Sequence, residues 1–498
     1  MIDISYSQYK TSLQKIADVK YASAVLQWDQ ETYLPPKGND NRGRQIATLS
    51  EIAHEQFTDD KLGILLNDLA GNTTLSDKEK RNVQLSLEDY NKNKKLPSSF
   101  VRKMSEAINK SFHAWIKARK ENSFAGFQQP LHEIIELKKQ EADLLGYEKH
   151  PYDALMGEYD KGLTTTITDK LFADLRPQLS SLLEKIAVQP QVGDSFLKQH
   201  FDKDAQWEAG IEILKRMHFD FDAGRQDISE HPFTTNFSSK DVRVTTRVDE
   251  NDFGNMMWSC IHEGGHALYE QGLPDDEYGL PLGEYCSLSI HESQSRLWEN
   301  NIGRGEAFWQ SNFELLQNKF PQQFNGISIP QFFKGINKVQ PSLIRTEADE
   351  VTYHFHVMIR YEIEKLLIEG SISTKDIPAY WNEHYQKYLG VTVPDDVRGC
   401  LQDVHWSHGS FGYFATYSIG SLYAAQFFAA IQQQYPDLQQ SIAAGNTMPV
   451  WEWLQKKIYP AGRYFTSEAL CRNVTGEYLN SRYFLDYAAA KFGNVYSF

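Results

Sequence analysis

The 498-residue sequence predicts a mainly α-helical fold with a small β segment, and three observations carry that prediction. Apolar residues recur at three- and four-residue intervals through most of the chain, the period of helices buried on one face. Around Phe233 the texture changes. Thr234-Thr-Asn-Phe and then Asp241-Val-Arg-Val-Thr-Thr-Arg-Val248 alternate and are rich in β-branched residues, as a strand or hairpin requires. No Pro/Ser-rich linker divides the chain. One domain over 1–498 is therefore expected, with helices over about 1–230, the β segment over about 233–248 and further helices over about 253–498.

The elements follow in order. Leu13, Ile16, Ala17, Tyr21, Ala24 and Val25 line one face of a first helix, which Pro35-Pro36 and Gly38 break. Ser76-Asp-Lys-Glu79 has the spacing of a capping box and opens a helix reaching about Asn93. The helical period returns at Phe100–Asn122, Pro130–Leu145, Leu171–Ile186 and Gln206–Met217, with Lys and Glu on solvated faces. A strand within 234–248 would offer an edge to an extended peptide, or serve as a hairpin packed on the next helix. Beyond it, helices are expected at Phe332–Val339, Tyr353–Ile368 and Ile377–Tyr388. The Gly- and aromatic-rich passage Gly399–Tyr417 suits a loop entering a helix over Tyr417–Tyr435.

Composition excludes several functions. A net charge of −15 repels phosphate backbones, so nucleic acid is not an expected partner. Cys260, Cys286, Cys400 and Cys471 show no C-x-x-C pairing and read as reduced core thiols. The N-terminus lacks the basic and apolar regions of an export leader, and no run of 18 apolar residues occurs. A soluble, cytoplasmic protein without a membrane partner is expected.

Chemistry concentrates between Phe253 and Leu273. Phe253, Met256, Met257, Cys260, Ile261 and Leu268 keep the helical period around His262-Glu-Gly-Gly-His266. Histidines four apart project from one helix face and reach a common metal ion, while Glu263 lies beside that ion as a base for a metal-activated water. Gly264 and Gly265 each cost about 1 kcal/mol in a helix interior, which implies that something approaches the backbone closely. A catalytic zinc takes a third protein ligand. Glu292, in His291-Glu-Ser-Gln294, is the best placed, with Glu270, Glu277 and Glu284 as competitors.

With these residues assembled, the chain resembles the carboxypeptidase Taq family of metallocarboxypeptidases along nearly its whole length. Six motifs stand in the family's order: His231-Pro-Phe233, Asp241-Val-Arg-Val-Thr245, His262-Glu-Gly-Gly-His266, His291-Glu-Ser-Gln294, Ile344-Arg-Thr-Glu-Ala-Asp349 and Gly399-Cys-Leu-Gln-Asp-Val-His-Trp406. Leu26-Gln-Trp-Asp-Gln and Tyr152-Asp-Ala-Leu also look like family segments. Ala415 departs from the pattern, where the family more often has proline.

The resemblance implies a helical body with a deep substrate groove and a small sheet beside the site, similar to neurolysin-like metallopeptidases. It implies the ligand set His262, His266 and Glu292, zinc that cobalt can replace, a homodimer, and removal of single C-terminal residues from short peptides with broad specificity. His231, Pro232 and Phe233, the Asp241, Arg243, Thr245 segment and the 399–406 segment with Gln402, Asp403 and His405 would close the groove end. Chemistry then asks for two further groups. The oxyanion needs a donor, for which Tyr413, Tyr417, His405 and His408 are candidates. The substrate carboxylate needs an arginine fork, for which Arg345 and Arg243 are candidates. Arg345 has a structural alternative, pairing with Glu347 or Asp349 in its own segment. An internal-cutting zinc oligopeptidase and a binding protein with a structural zinc are the competing functional readings.

Overall fold

The computed structural model describes residues 4–498; the first three residues, part of the stretch read as carrying no export leader, lie outside the described residues. The chain is mainly helical, with one three-stranded sheet. It divides into two compact units. One comprises the residues up to Asn93, Gly193–Ile336 and Tyr423–Leu479; the other comprises Lys94–Val192, Asn337–Leu422 and Asn480–Phe498.

In the first unit, helix Ile4–Thr32 buries Tyr9, Leu13 and Ile16 against Leu62, Leu66, Val83 and Leu280. The capping box forms as read: the Ser76 amide donates to Glu79 Oε2 at 2.8 Å and the Glu79 amide to Ser76 Oγ at 3.4 Å, starting helix Asp77–Lys95. The sheet comprises β1 (Gly224–Ile228), β2 (Thr234–Ser238) and β3 (Asp241–Thr246) in the order β1-β3-β2. β3 runs parallel to β1 and antiparallel to β2. The 234–248 hairpin therefore exists, ending at Thr246. Its second strand is internal to the sheet and presents no edge; β1 and β2 are the outer strands. β1 escaped the sequence reading because Gly-Arg-Gln-Asp-Ile does not alternate.

Helix Phe253–Gln271 lies against β2 and β3. Thr246 Oγ1 and Ser259 Oγ share a hydrogen bond of 2.8 Å, tying β3 to this helix. Asp252 caps its start by accepting from the Gly254 amide at 3.0 Å. Phe253 anchors that end in an aromatic cluster, 5.3 Å from Phe201 and 5.2 Å from Phe324 between ring centres. Truncating such a buried ring costs about 3–5 kcal/mol, so this end of the helix is firmly seated.

The second unit is built from helices that include Ser98–Glu121, Ala125–Leu145, Thr165–Ala187, Tyr353–Glu369, Ile377–Leu389 and Arg482–Tyr496. Tyr353–Glu369 is buried nearly all round and carries Arg360 and Glu364 fully into the interior. The Gly399 passage forms a loop with a short turn at His405–His408, and the next helix, Phe414–Gln434, begins three residues earlier than expected. Ala415 is buried in its first turn, a position that also accepts proline, so the departure leaves the helix start intact. Among the described residues no helix is long and apolar enough to cross a membrane, and all four thiols are free.

Candidate active site

His262 and His266 stand on one face of helix Phe253–Gln271, as their spacing requires. The chain turns back through Pro281–Gly283 into a second helix, Leu288–Arg296, whose start Ser287 caps by accepting from the Ile290 amide at 3.1 Å. Glu292 on that helix places Oε2 3.8 Å from His262 Nε2 and 3.6 Å from His266 Nε2. The three ligand atoms all lie within 4.8 Å of one another.

The paired glycines explain how the helices come so close. A Cβ on Gly265 would lie 2.6 Å from Ser295 Cα and 2.8 Å from the Gln294 carbonyl oxygen, so the two backbones touch there. A Cβ on Gly264 would meet Leu214 at 2.6 Å and Met217 at 3.0 Å. The close approach inferred from the sequence is real at both positions.

Each member of the trio has its other polar atom held by protein. His262 Nδ1 bonds Glu299 Oε2 at 2.9 Å, His266 Nδ1 bonds His291 Nδ1 at 2.6 Å, and Glu292 Oε1 accepts from Arg296 Nε at 2.6 Å. Two imidazole nitrogens and one carboxylate oxygen are thereby aimed at a common point, a donor set that fits a divalent ion of zinc type. The competing glutamates are engaged elsewhere. Glu270 receives His291 and Asn236, Glu277 receives Asn82, and Glu284 pairs with Arg463.

Glu263, 8 % exposed, lies beside the trio. Its Oε2 accepts the Thr234 hydroxyl at 2.6 Å. Burial raises the Glu263 carboxyl above its ordinary value, against the pull of His262 and of the Thr234 bond. Burial drives His266 well below the imidazole range. At His262 burial also acts downward, but Glu292 and Glu299 outweigh it and the group is raised. Glu299 goes the other way: burial opposes its charge, yet His262, Arg296 and Arg304 hold it well below the usual carboxylate range. A bound cation would favour the neutral, ligating form of His262 over the protonated one.

Thr234 and Glu299 were not singled out in the sequence. Glu299 lies seven residues past Glu292, two helical turns on, where the helix widens into a π-helical stretch at Leu297–Gly303. That spacing was the available signal. For Thr234 there was none beyond its place directly after His231-Pro-Phe233.

The remaining predicted residues fall into two groups. In the first unit, His231 is exposed and leads through half-buried Pro232 and Phe233 into β2. The Phe233 amide donates to Thr245 Oγ1 at 2.9 Å. Arg243 forks onto Asp241 with two bonds of 2.9 Å and lies over the Trp28 ring at 4.3 Å. In the second unit, Arg345 Nε donates to Asp403 Oδ1 at 3.0 Å, and Arg360 Nε donates to Asp403 Oδ2 at 2.6 Å. The partner of Arg345 is thus Asp403 and not Glu347 or Asp349. Gln402 Oε1 accepts from the Arg345 amide and from Arg360 Nη2. His405 Nε2 lies 3.2 Å from the Tyr417 hydroxyl, and the Tyr413 ring packs on both. His408 instead packs on Phe112. Burial, then the Arg345 charge, lowers His405 to about 3, so its ring is neutral.

A half-buried pair of histidines on one helix, a glutamate from the following helix and a buried carboxylate alongside compose a candidate metallohydrolase centre of the H-E-x-x-H type. The comparisons give the particular family. A family model described as carboxypeptidase Taq (M32) metallopeptidase matches residues 8–492, and the chain belongs to that family. It is 38 % identical over 486 residues to carboxypeptidase 1 of Bacillus subtilis (strain 168), covering 97 % of each chain. The M32 carboxypeptidase structure from Deinococcus radiodurans R1 superposes with a TM-score of 0.98 at 36 % identity, covering 100 % of both chains. A solved structure described as that of CHT gives 0.97 at 59 % identity, covering 98 % of this chain and 99 % of the other. The protein is a metallocarboxypeptidase, a peptide hydrolase.

Proposed function

We propose that the protein uses zinc, replaceable by cobalt, to remove single residues from the C-termini of short peptides with broad specificity, and that Glu263 is the general base. The observation that carries this reading is a buried, oriented carboxylate beside three converging ligand atoms. His262, His266 and Glu292 would hold the ion, which when bound would supply Lewis acidity at the scissile carbonyl and to the attacking water. Glu263 Oε2 is fixed by Thr234, which leaves Oε1 to receive the water proton and pass it to the leaving amine.

Recognition of the free carboxylate falls to Arg345. Arg345 and Arg360 share the single carboxylate of Asp403, so this buried cluster carries one formal positive charge in excess, which favours an incoming anion. Arg243, by contrast, is matched one to one by the carboxylate of Asp241 and carries no such excess. Tyr413, Tyr417 and His405, which form one cluster, are the candidates for oxyanion donor; His408 stands apart from them. A cytoplasmic homodimer completes the proposal, and light scattering of the purified protein tests the dimer.

The deciding experiment digests one peptide with a free and with an amidated C-terminus, with and without chelator. Stepwise shortening of the free acid only, abolished by chelator and restored by zinc or cobalt, is expected. Internal cleavage of the amide would identify an oligopeptidase instead.

A further inference from the structure

We propose that His291 and Glu270 form a positioning arm that fixes His266 in its metal-binding tautomer, so that the two histidines of the centre are held by different devices. The inference rests on the reading of His262, His266 and Glu292 as ligands. His262 is braced directly by a carboxylate, Glu299, at 2.9 Å. Among the described residues His266 has no carboxylate at its Nδ1. Its partner is another imidazole, His291, nitrogen to nitrogen at 2.6 Å. The far side of His291 bonds Glu270 Oε1 from Nε2 at 2.7 Å, and Glu270 Oε2 accepts from Asn236 Nδ2 at 2.6 Å.

The polarity of this chain follows from its ends. Both Glu270 oxygens take donors, so a neutral His291 carries its proton on Nε2 and its lone pair on Nδ1. That lone pair requires a donor, and the nitrogen facing it is His266 Nδ1. With its proton on Nδ1, His266 presents a bare Nε2 toward Glu292. The opposite polarity would place the His266 proton on Nε2, between the ring and the ion. Glu270 and Asn236 thus set which nitrogen of His266 is free, one imidazole removed.

Stacking adds direction to the bond. The His266 and His291 rings lie 4.4 Å apart at an interplanar angle of 30°, and Tyr285 meets His291 edge-on at 4.8 Å. His291 therefore cannot swing away without opening the packing around it. The arm also joins both layers around the centre. Asn236 is on β2, Glu270 and His266 on the first ligand helix, and His291 on the second.

The test compares zinc affinity, by competition with a chromophoric chelator, and the visible spectrum of the cobalt-loaded protein. The variants are His291→Phe, His291→Asn, Glu270→Gln and, as reference, His266→Ala. Phenylalanine keeps the stacked ring but removes the acceptor. Asparagine restores an acceptor near the position of Nδ1 without reaching Glu270. Zinc affinity is expected to fall about 10–100-fold in His291→Phe and Glu270→Gln, with a changed cobalt spectrum and an unchanged helical circular dichroism signal. His291→Asn should recover part of the loss, a graded response that a packing role alone would not give. Zinc affinity within twofold of the parent in His291→Phe and Glu270→Gln, while His266→Ala has lost its zinc, overturns the arm. Stoichiometric zinc in His266→Ala overturns it differently, by removing the ligand assignment beneath it.

Discussion

Thr234 donates its hydroxyl to Glu263 Oε2 at 2.6 Å, and the same hydroxyl lies 3.1 Å from the Glu263 carbonyl oxygen. An edge strand thus holds the carboxylate of the neighbouring helix in one rotamer. Thr234→Val keeps the shape and deletes the bond. A hydrogen bond to a charged group contributes about 1.5–3 kcal/mol, so kcat should fall roughly 10- to 100-fold. Zinc content, measured by atomic emission, should stay stoichiometric. Glu263→Gln should likewise retain zinc and lose about two to four orders of magnitude in kcat. Near-parental turnover in that variant would remove Glu263 as the base.

The two glycines between the histidines make unequal demands. Gly265 faces backbone, at Ser295 Cα and the Gln294 carbonyl, which cannot give way without moving the helix that carries Glu292. Gly264 faces the ends of Leu214 and Met217, which can. Gly265→Ala should therefore lower stability by about 1–3 kcal/mol and weaken zinc binding, whereas Gly264→Ala should affect stability alone. Urea unfolding and zinc titration on both proteins check the difference.

Arg345→Ala removes one of the two cations on Asp403 and leaves a balanced Arg360–Asp403 pair. If Arg345 anchors the substrate carboxylate, kcat/KM for free-acid peptides should fall about 100-fold, mostly through KM, as loss of a charge-assisted fork implies. Arg345→Lys should recover only part of it. A lowered melting temperature with unchanged KM would mark the residue as structural.

Stability should depend on pH through Glu364. Burial pushes this carboxyl up to about 7, against the bonds donated by Tyr152, Gly412 and Trp406. The folded protein therefore binds its proton more tightly than the unfolded chain does. The resulting stabilisation is complete below the ordinary carboxyl range near 4.5 and is lost as pH rises through about 7. The gap corresponds to something on the order of 3 kcal/mol. Glu364→Gln, neutral at all pH, should flatten the parent's decline in unfolding free energy between pH 5 and 8. An identical decline in both proteins would exclude Glu364 as its source.

Much of this molecule was legible in its residues because the signals were local. The three-and-four spacing around Leu13, the Ser76–Glu79 box and the four-residue gap between His262 and His266 each report on a single helix. The double glycine even announced a backbone contact, though not that Ser295 makes it. What escaped depends on partners distant in sequence. β1 is a strand because it pairs with β3, not because Arg225-Gln-Asp alternates. Glu270, one turn past His266, competed as a ligand on sequence alone. Only the intervening His291 shows that it acts at one remove. Arg345 found Asp403, 58 positions away, in preference to the acids of its own segment.

Arg296 reaches Glu292 with one nitrogen and Glu299 with another, at 2.6 and 3.3 Å, and Arg304 takes the far oxygen of Glu299 at 3.1 Å. These guanidiniums offset the mutual repulsion of two carboxylates that would otherwise push the cage apart whenever its cation departs. The cage accordingly stands on bonds within the polypeptide, unlike small zinc domains that collapse when stripped. Exchange of one divalent ion for another at this finished socket is therefore expected in native protein, without a cycle of denaturation and refolding.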